Sequence, residues 1–492
     1  MRVSSTLRSS MSHVASSPLA PVTVSLLLSL CRLDRASLWA DEGETYGAAI
    51  HGLQPYEHPW TYFWFVRLWM KCFGSSEFAL RLPSALAAAG LVLVLTRIAK
   101  LIPIPRLGNW AAWLVALSPF VLLGAQEARM YAPMAFTQAV AIWGLLAYSK
   151  GNPRGAFLWA IGTGASTALH HLGWLACWPP WVVVLTVSRR RRTLIKAGIL
   201  ALGLYAPLLA PTVGQVMLRI HGGHMGSTPS LLAAAKKLVG HAYYLGAGYL
   251  YSRLDGAAIR TLLSSPQALV FVAQLLLPAL LVGKGALRLW RAWRHGVVVL
   301  LAFFLPSFVF LAYEGSPANL LLPVFVAYVL PLAAGVAASR VWTAILLVIL
   351  WTPALARQSF TDGYLLHPED WRGMTETIRS EATESDAVLL TGSRNSLFMT
   401  EYYPVRPAAR YALVDSVRAY ARFDAHLPTE ERSVVRTVDS LFTRHPRVWY
   451  VYVDWDMPFM ERSLDTLWNS SGRWRKRFGE GLELVRLERG ES

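Results

Sequence analysis

Charged residues are scarce in this chain. Asp, Glu, Lys and Arg make up 16% of its 492 residues, where a soluble protein of this length carries about 25%. That deficit excludes an ordinary water-soluble enzyme. Cysteine is scarcer still: Cys31, Cys72 and Cys177 are odd in number and scattered, with no C-x-x-C spacing. Neither a disulfide framework nor a thiolate zinc site can be built from them, and they read as apolar fillers. The apolar run 18–31 follows Arg2 and Arg8 but ends in no small-x-small pattern, so an uncleaved first helix is expected instead of a signal peptide. The bulky Leu30 argues against lipoprotein processing at Cys31. No internal repeat or low-complexity tract is visible, and the Ser-rich start reads as a disordered tail.

What the chain has in abundance is apolar surface: 54% of its residues are hydrophobic, 20 of them Trp. Runs long enough to cross a bilayer recur, and counting them gives about eleven helices. Their cores are 18–38, 82–102, 110–124, 133–148, 157–172, 174–187, 194–213, 266–282, 297–313, 320–338 and 341–355. The net charge of +17 suggests nucleic acid at first sight. The basic residues, however, sit in short loops between apolar runs, where they set membrane topology. Arg97, Lys100 and Arg106 share one loop, Lys150 and Arg154 another, and Arg189 to Arg192 with Lys196 a third. Lys284, Arg288, Arg291, Arg294 and Arg340 complete the set. With a cytoplasmic N-terminus all of them face the cytoplasm, and no nucleic-acid partner is needed. The Asp41 loop, the turn 126–131, the segment 214–265 and the turn 314–319 then face outward, as does the C-terminus. The expected location is the inner (cytoplasmic) membrane, crossed many times.

Composition changes near residue 358. Short apolar stretches at 387–391, 410–414, 448–454 and 482–488 read as strands, with helical patterns at 371–382 and 429–442 between them. Alternation of this kind predicts a small α/β domain. The expected division is a membrane domain over 1–357, with an outer-face loop at 38–78, and a soluble extracytoplasmic domain over 358–492.

The stretch 38–62 concentrates chemistry between two apolar segments: Asp41, Glu42, Glu44, His51, Glu57 and His58. Acids so dense beside a hydrophobic segment are costly unless they line a wet cavity, bind a cation or react. Asp41 and Glu44 also fit a capping box that would start a helix at Glu42, which leaves Glu42, Glu57 and His58 to be explained. His58 precedes Pro59, which holds it extended, and His beside Glu is a divalent-metal pair.

The turn from Gln126 to Tyr131 is expected on the same outer face. If it continues the following helix, Gln126 and Arg129 share one face and Glu127 and Tyr131 another. An acid and an Arg at this depth need partners; the blander reading makes them interfacial anchors, with Tyr131 in an aromatic belt. His170 and His171 fit a structural role or a substrate contact. Arg81 either snorkels to headgroups or holds a lipid phosphate.

These residues carry a resemblance. WADEGETY (39–46), EHPWTYF (57–63), GSSEFALRLPSALAA (74–88), SPFVLLGAQEARMYA (118–132), HHLG (170–173) and PEDWRG (368–373) resemble the membrane glycosyltransferases of the GT-C class. The similarity is to bacterial family 39 protein O-mannosyltransferase-like enzymes and to the aminoarabinose transferases of lipid A. The fold implied is a polytopic α-helical membrane protein of GT-C architecture with a small C-terminal α/β domain. The activity implied is transfer of a sugar from a polyprenyl-phosphate donor on the outer face to an acceptor on lipid, glycan or protein. Asp41 would be the base, with Glu42 beside it and Glu127 as second acid. Arg129 and Arg81 would face the donor phosphate, and Tyr131, His170 and His171 would line the pocket. By position only, Glu57 and His58 would hold a divalent ion (Mg, Mn or Zn), and no organic cofactor is expected. Two departures stand out: Pro317-Ala318-Asn319 replaces an Arg-Tyr pair before a late Leu-Leu-Pro, and His170-His171 replaces a common His-Tyr pair.

A transferase of this kind needs one base, because lipid phosphate already leaves well. It also needs a cation for the phosphate. A flippase of lipid-linked sugars, or a non-catalytic envelope-assembly protein, are the competing classes. Transporters place ionisable groups near the midplane, on broken helices and often with repeat symmetry, whereas these charges gather at one face.

Overall fold

The computed structural model describes residues 19–52, 58–221, 230–247, 260, 263–314, 318–360, 369–391, 394–405, 409–413, 431–453, 472–478 and 482–488. Its helices begin with α1 (Leu19–Leu30), α2 (Ala40–His51), α3 (Trp60–Phe73), α4 (Glu77–Lys100), α5 (Leu107–Ala116), α6 (Pro119–Ala125), α7 (Tyr131–Ser149), α8 (Gly155–Leu169) and α9 (Leu172–Val187). They continue with α10 (Arg191–His221), α11 (Leu231–Ala247), α12 (Ala268–Glu314), a 3-10 segment (Ala318–Val324), α13 (Phe325–Ala337) and α14 (Val341–Phe360). The remainder alternates: α15 (Trp371–Glu381), β1 (Ala387–Thr391), α16 (Arg394–Tyr402), β2 (Ala409–Leu413), α17 (Glu431–Phe442), β3 (Arg447–Val453), β4 (Gly472–Arg477) and β5 (Leu482–Glu488).

Two compact units result. One comprises Met1–Leu33, Gln54–Tyr62 and Arg81–Phe360; the other comprises Asp34–Leu53, Phe63–Leu80 and Thr361–Ser492. In the first, helical unit, four helices and the stretch Leu320–Ala337 are each long and apolar enough to cross a membrane. These helices are α4, α10, α12 and α14, and the bent pair α5–α6, angled at 56°, makes a sixth candidate. Each of the eleven expected apolar segments holds helix, the others being shorter or less apolar than these spans. Leu269, Trp342 and Ile199 stand 82, 71 and 64% exposed, a surface that suits lipid and not water. The chain is a multi-pass membrane protein.

Breaks in the helices follow local chemistry. Ser118 caps α6, its Oγ accepting from the N–H of Val121 at 3.4 Å, with Pro119 at the first position. That start forces the bend after α5, because proline cannot continue a helix inward. The first apolar run stops earlier than expected, at Leu30, where Arg32 takes a left-handed φ of 56°. The expected loop 283–296 is instead helix, bent at Trp293, and Lys284, Arg288, Arg291 and Arg294 lie on it. A further helix, α11, falls inside the segment 214–265 that sequence reading left as one long loop. Close packing of α12 on α13 rests on Gly285 and Gly335. A Cβ on either would strike the facing backbone carbonyl, Pro331 O or Leu281 O, so only glycine allows this approach.

The second unit holds a five-stranded sheet in the order β2-β1-β3-β5-β4. β1 runs parallel to β2 and β3; β5 runs antiparallel to β3 and β4. β3 is central, and Val448 to Val451 are fully buried, as a continuous apolar run in a covered strand requires. The four expected strands and two helices are present within about a residue or two of the expected ends. β4 and α16 were not foreseen. β4 reads GRWRKR, an edge strand guarded by charge, with Glu483 pairing Arg475 at 2.5 Å and also Arg477.

Candidate active site

In the helical unit, the residues of interest gather around one turn. Residues 126–130 form a non-helical turn before α7, so the helical-face pairing expected for them does not arise. Gln126 Nε2 reaches the carbonyls of Leu28, Ser29 and Cys31 at 3.4, 3.4 and 3.2 Å. It thereby serves the orphan acceptors at the end of α1. Glu127 is fully buried and Arg129 is 2% exposed. The carbonyl of Arg129 accepts from Ser84 Oγ at 3.1 Å, fixing the turn to α4.

The Arg129 guanidinium lies 3.0 Å from His58 Nε2. Arginine only donates, so His58 accepts there and carries its ring proton on Nδ1. The His58 and His170 rings lie 5.1 Å apart, Tyr131 lies 6.4 Å from His170, and Arg129 sits 5.9 Å from the centre of the Tyr131 ring. His170 Nδ1 accepts from the N–H of Leu172 at 3.1 Å, so the neutral ring keeps its proton on Nε2 and presents a donor. Thr61 Oγ1 donates to the carbonyl of Ala168, tying the start of α3 to the end of α8. A guanidinium, an imidazole N–H and a phenol are thus collected on one side of the unit. That set suits an oxyanion.

Tyr131, 5% exposed, is no interfacial belt residue. Arg81 is 1% exposed and Nη1 donates to the carbonyl of Leu33 at 2.9 Å; the headgroup-snorkelling reading fails, because the side chain points inward. His171 neighbours His170 with rings 6.3 Å apart.

The acidic stretch belongs to the second unit. Helix α2 is capped by Trp39 and not by Asp41. Glu42 Oε2 accepts from the N–H of Trp39 at 3.3 Å, so the capping box expected of Asp41 and Glu44 forms two residues earlier, at Trp39 and Glu42. Glu42 is fully buried and Glu44 is 4% exposed, whereas Asp41 is half-buried. Asp41 is therefore the most accessible acid of this helix.

Residues that sequence reading did not single out surround the start of α2. Glu369 Oε2 accepts from the N–H of Ala40 at 3.2 Å and from Trp371 Nε1 at 2.6 Å. Tyr403 Oη accepts from the N–H of Leu38 and donates to Glu77 Oε1, both at 2.8 Å. Arg372 pairs with Glu77 at 2.5 Å. Burial, and the Glu77 charge after it, push the Tyr403 hydroxyl well up from its ordinary range, so it stays a donor. Burial works against the charge on Arg372, but bonding to Glu77 outweighs it and raises the guanidinium further. Glu369, Trp371 and Arg372 belong to the PEDWRG run and Glu77 to the run 74–88, whereas no sequence signal marks Tyr403.

A metal fits poorly at His58 Nε2, because a guanidinium already occupies that lone pair and would repel a second cation. Among the described residues no three His, Cys, Asp or Glu side chains come together to hold a metal ion. Glu57 lies outside the described residues.

By architecture the chain shares the fold of solved membrane sugar transferases. Residues 57–213 match the family profile of dolichyl-phosphate-mannose-protein mannosyltransferase. Among solved structures, apo ArnT from Cupriavidus metallidurans is similar at 13% identity and a TM-score of 0.63, over 95% of this chain and 97% of that one. ArnT bound to undecaprenyl phosphate is similar at 15% identity and a TM-score of 0.56, with the same coverage. The archaeal oligosaccharyltransferase AglB from Archaeoglobus fulgidus, in complex with an inhibitory peptide and a dolichol-phosphate, is similar at 12% identity and a TM-score of 0.53, over 95% of this chain and 74% of that one. At these identities the likeness is one of fold. No curated protein sequence gives a significant match.

Proposed function

We propose that this chain transfers a sugar from a polyprenyl-phosphate donor to an acceptor hydroxyl on the outer face of the cytoplasmic membrane. One observation carries the reading: Asp41 is the accessible carboxylate of an otherwise buried acidic helix. It does so in a chain whose fold, in a solved relative, accommodates undecaprenyl phosphate. The basic loops support a cytoplasmic N-terminus and an extracytoplasmic C-terminal domain.

In this reading Asp41 takes the proton of the acceptor hydroxyl as its oxygen attacks the anomeric carbon from the face opposite the phosphate. The bond from that carbon to the phosphate oxygen breaks, polyprenyl phosphate leaves with the electron pair, and the anomeric centre inverts. Arg129 meets the charge gathering on the phosphate, supported by His170 Nε2–H and the Tyr131 hydroxyl, with His171 beside them. Glu127 is the second acid, and Arg81 is a further cation on the donor side. The acceptor hydroxyl belongs to lipid, glycan or protein.

The test compares envelope glycans by mass spectrometry in cells with and without the gene, then complements the deletion with Asp41→Asn. The variant should insert, bind undecaprenyl phosphate as wild type does, and lose transfer by about 10²–10⁴-fold. Restoration of the missing glycan by Asp41→Asn would remove Asp41 from the chemistry.

A further inference from the structure

The seven residues leading into the Asp41 helix carry a dense set of bonds to the C-terminal segment of the same unit. Arg372 donates to the carbonyls of Asp34 and Arg35 at 3.0 and 3.2 Å. Ser37 Oγ donates to the carbonyl of Glu369 at 2.8 Å and accepts from the N–H of Trp371 at 3.2 Å. The N–H of Leu38 goes to Tyr403, and that of Ala40 to Glu369. Ala40 is the residue directly before Asp41 and the first of α2, so its N–H is one of the donors a helix start leaves unserved. Glu369 serves it from 329 residues away. The clamp is itself held from behind. Trp371 Nε1 pins the Glu369 carboxylate, and Glu77 holds both Arg372 and Tyr403. Further along α2, the helix lies against α16 so closely that a Cβ on Gly47 would collide with the Phe398 ring.

We infer that Glu369, Arg372 and Tyr403 are positioning residues for transfer: the C-terminal domain fixes the backbone entering α2 and so aims the Asp41 carboxylate. This rests on Asp41 being the base. Glu369 touches no reacting atom, and its effect passes through the Ala40 amide. Aim matters because a misplacement of about 1 Å at a reacting group costs about 10²-fold in rate. The domain after residue 360 is on this account part of the catalytic frame and not a separate binding module.

The experiment uses the full-length protein, in a deletion strain at matched membrane level and purified in detergent. Glu369→Ala should lower formation of the glycan that the deletion removes by about 10- to 100-fold. Undecaprenyl phosphate, used as the binding probe, should keep its affinity within about twofold, because Glu369 meets no donor group. Amide hydrogen exchange should rise in the peptide covering residues 36–46 and stay unchanged in 447–453. Glu369→Gln keeps an oxygen for both donors and should recover most of the product. Asp41→Asn is run beside them. If Asp41→Asn is inactive but Glu369→Ala makes product at the wild-type rate, the positioning role is wrong and the base assignment stands. If Asp41→Asn is active, the base assignment fails first. A Glu369→Ala protein that loses protection everywhere, or that Glu369→Gln does not rescue, shows Glu369 to be a folding residue only and overturns the inference.

Discussion

Arg129 donates to His58 Nε2 at 3.0 Å, joining the turn before α7 to the residue that precedes Pro59. A permanent cation is thereby oriented by a ring nitrogen, a contact that itself adds no negative charge. Such a group can meet a lipid phosphate as charge develops there.

Arg129→Ala should therefore weaken undecaprenyl phosphate binding about tenfold or more, the worth of a charged hydrogen bond at about 1.5–3 kcal/mol. Arg129→Lys should recover little, because an ammonium lacks the planar fork and does not match the same geometry. Titration of the purified protein with undecaprenyl phosphate, followed by tryptophan fluorescence, checks both. Unchanged affinity in Arg129→Ala would take Arg129 off the phosphate.

The same bond bears on metal. While Arg129 occupies Nε2 and the ring proton sits on Nδ1, His58 has no lone pair to offer an ion, and like-charge repulsion acts against one beside the guanidinium. If Arg129 is the cation that meets the phosphate, as proposed, transfer in washed membranes should persist within about twofold after EDTA treatment and dialysis. A loss restored by Mg, Mn or Zn would return the role to Glu57 and His58.

Much of this molecule was legible because lipid is an undiscriminating solvent. Any long apolar run must become helix in it, and each run marked from sequence holds helix over much of its length. Where reading failed, the cause was local. The stretch 283–296 looked like a loop because it is basic, yet long Lys and Arg side chains leave a helix intact while their heads reach water; only Trp293, at φ −161° and ψ 71°, breaks it. β4 went unseen because an edge strand of Arg and Lys shows no apolar alternation. Asp41, Arg129 and His58 stood out in the sequence as polar groups out of place beside apolar runs. The service of Glu369 to Ala40 was not, since no periodicity links residues 329 apart.

Packing of α12 on α13 makes a prediction about stability alone. Gly335 faces the carbonyl of Leu281, while Gly283, on α12, has nothing within 4 Å of where its Cβ would stand. Gly335→Ala should destabilise by about 1–3 kcal/mol through overpacking and lower the melting temperature in detergent. Gly283→Ala should be neutral or stabilising by up to about 1 kcal/mol, from helix propensity. Equal melting temperatures for the two variants would contradict the close approach at Gly335.

Asp386 gives the C-terminal sheet an acid-sensitive joint. Its side chain, buried by accessible surface, accepts from the N–H of Thr383 at 3.0 Å, from Trp449 Nε1 at 3.1 Å and from Arg447 Nη2 at 3.0 Å. Burial alone would raise its pKa, but the Thr383, Trp449 and Arg447 bonds together hold it below the ordinary value of 3.8. A carboxyl depressed on folding stabilises the native state above its unfolded pKa, and that contribution fades as pH falls through the lower folded value. Protection of the peptide covering residues 447–453, measured by hydrogen exchange in the full-length protein, should be level from pH 7 to about 5 and fall below about 4. Asp386→Asn should lower that protection at pH 7 by about 2 kcal/mol, because Arg447 loses its counter-charge while the amide keeps only part of the bonding. It should also flatten the dependence below pH 4. An Asp386→Asn protein with wild-type protection at pH 7 and the same acid loss would assign the joint to another carboxylate, such as Glu488 on β5, which faces Arg447 in the strand register.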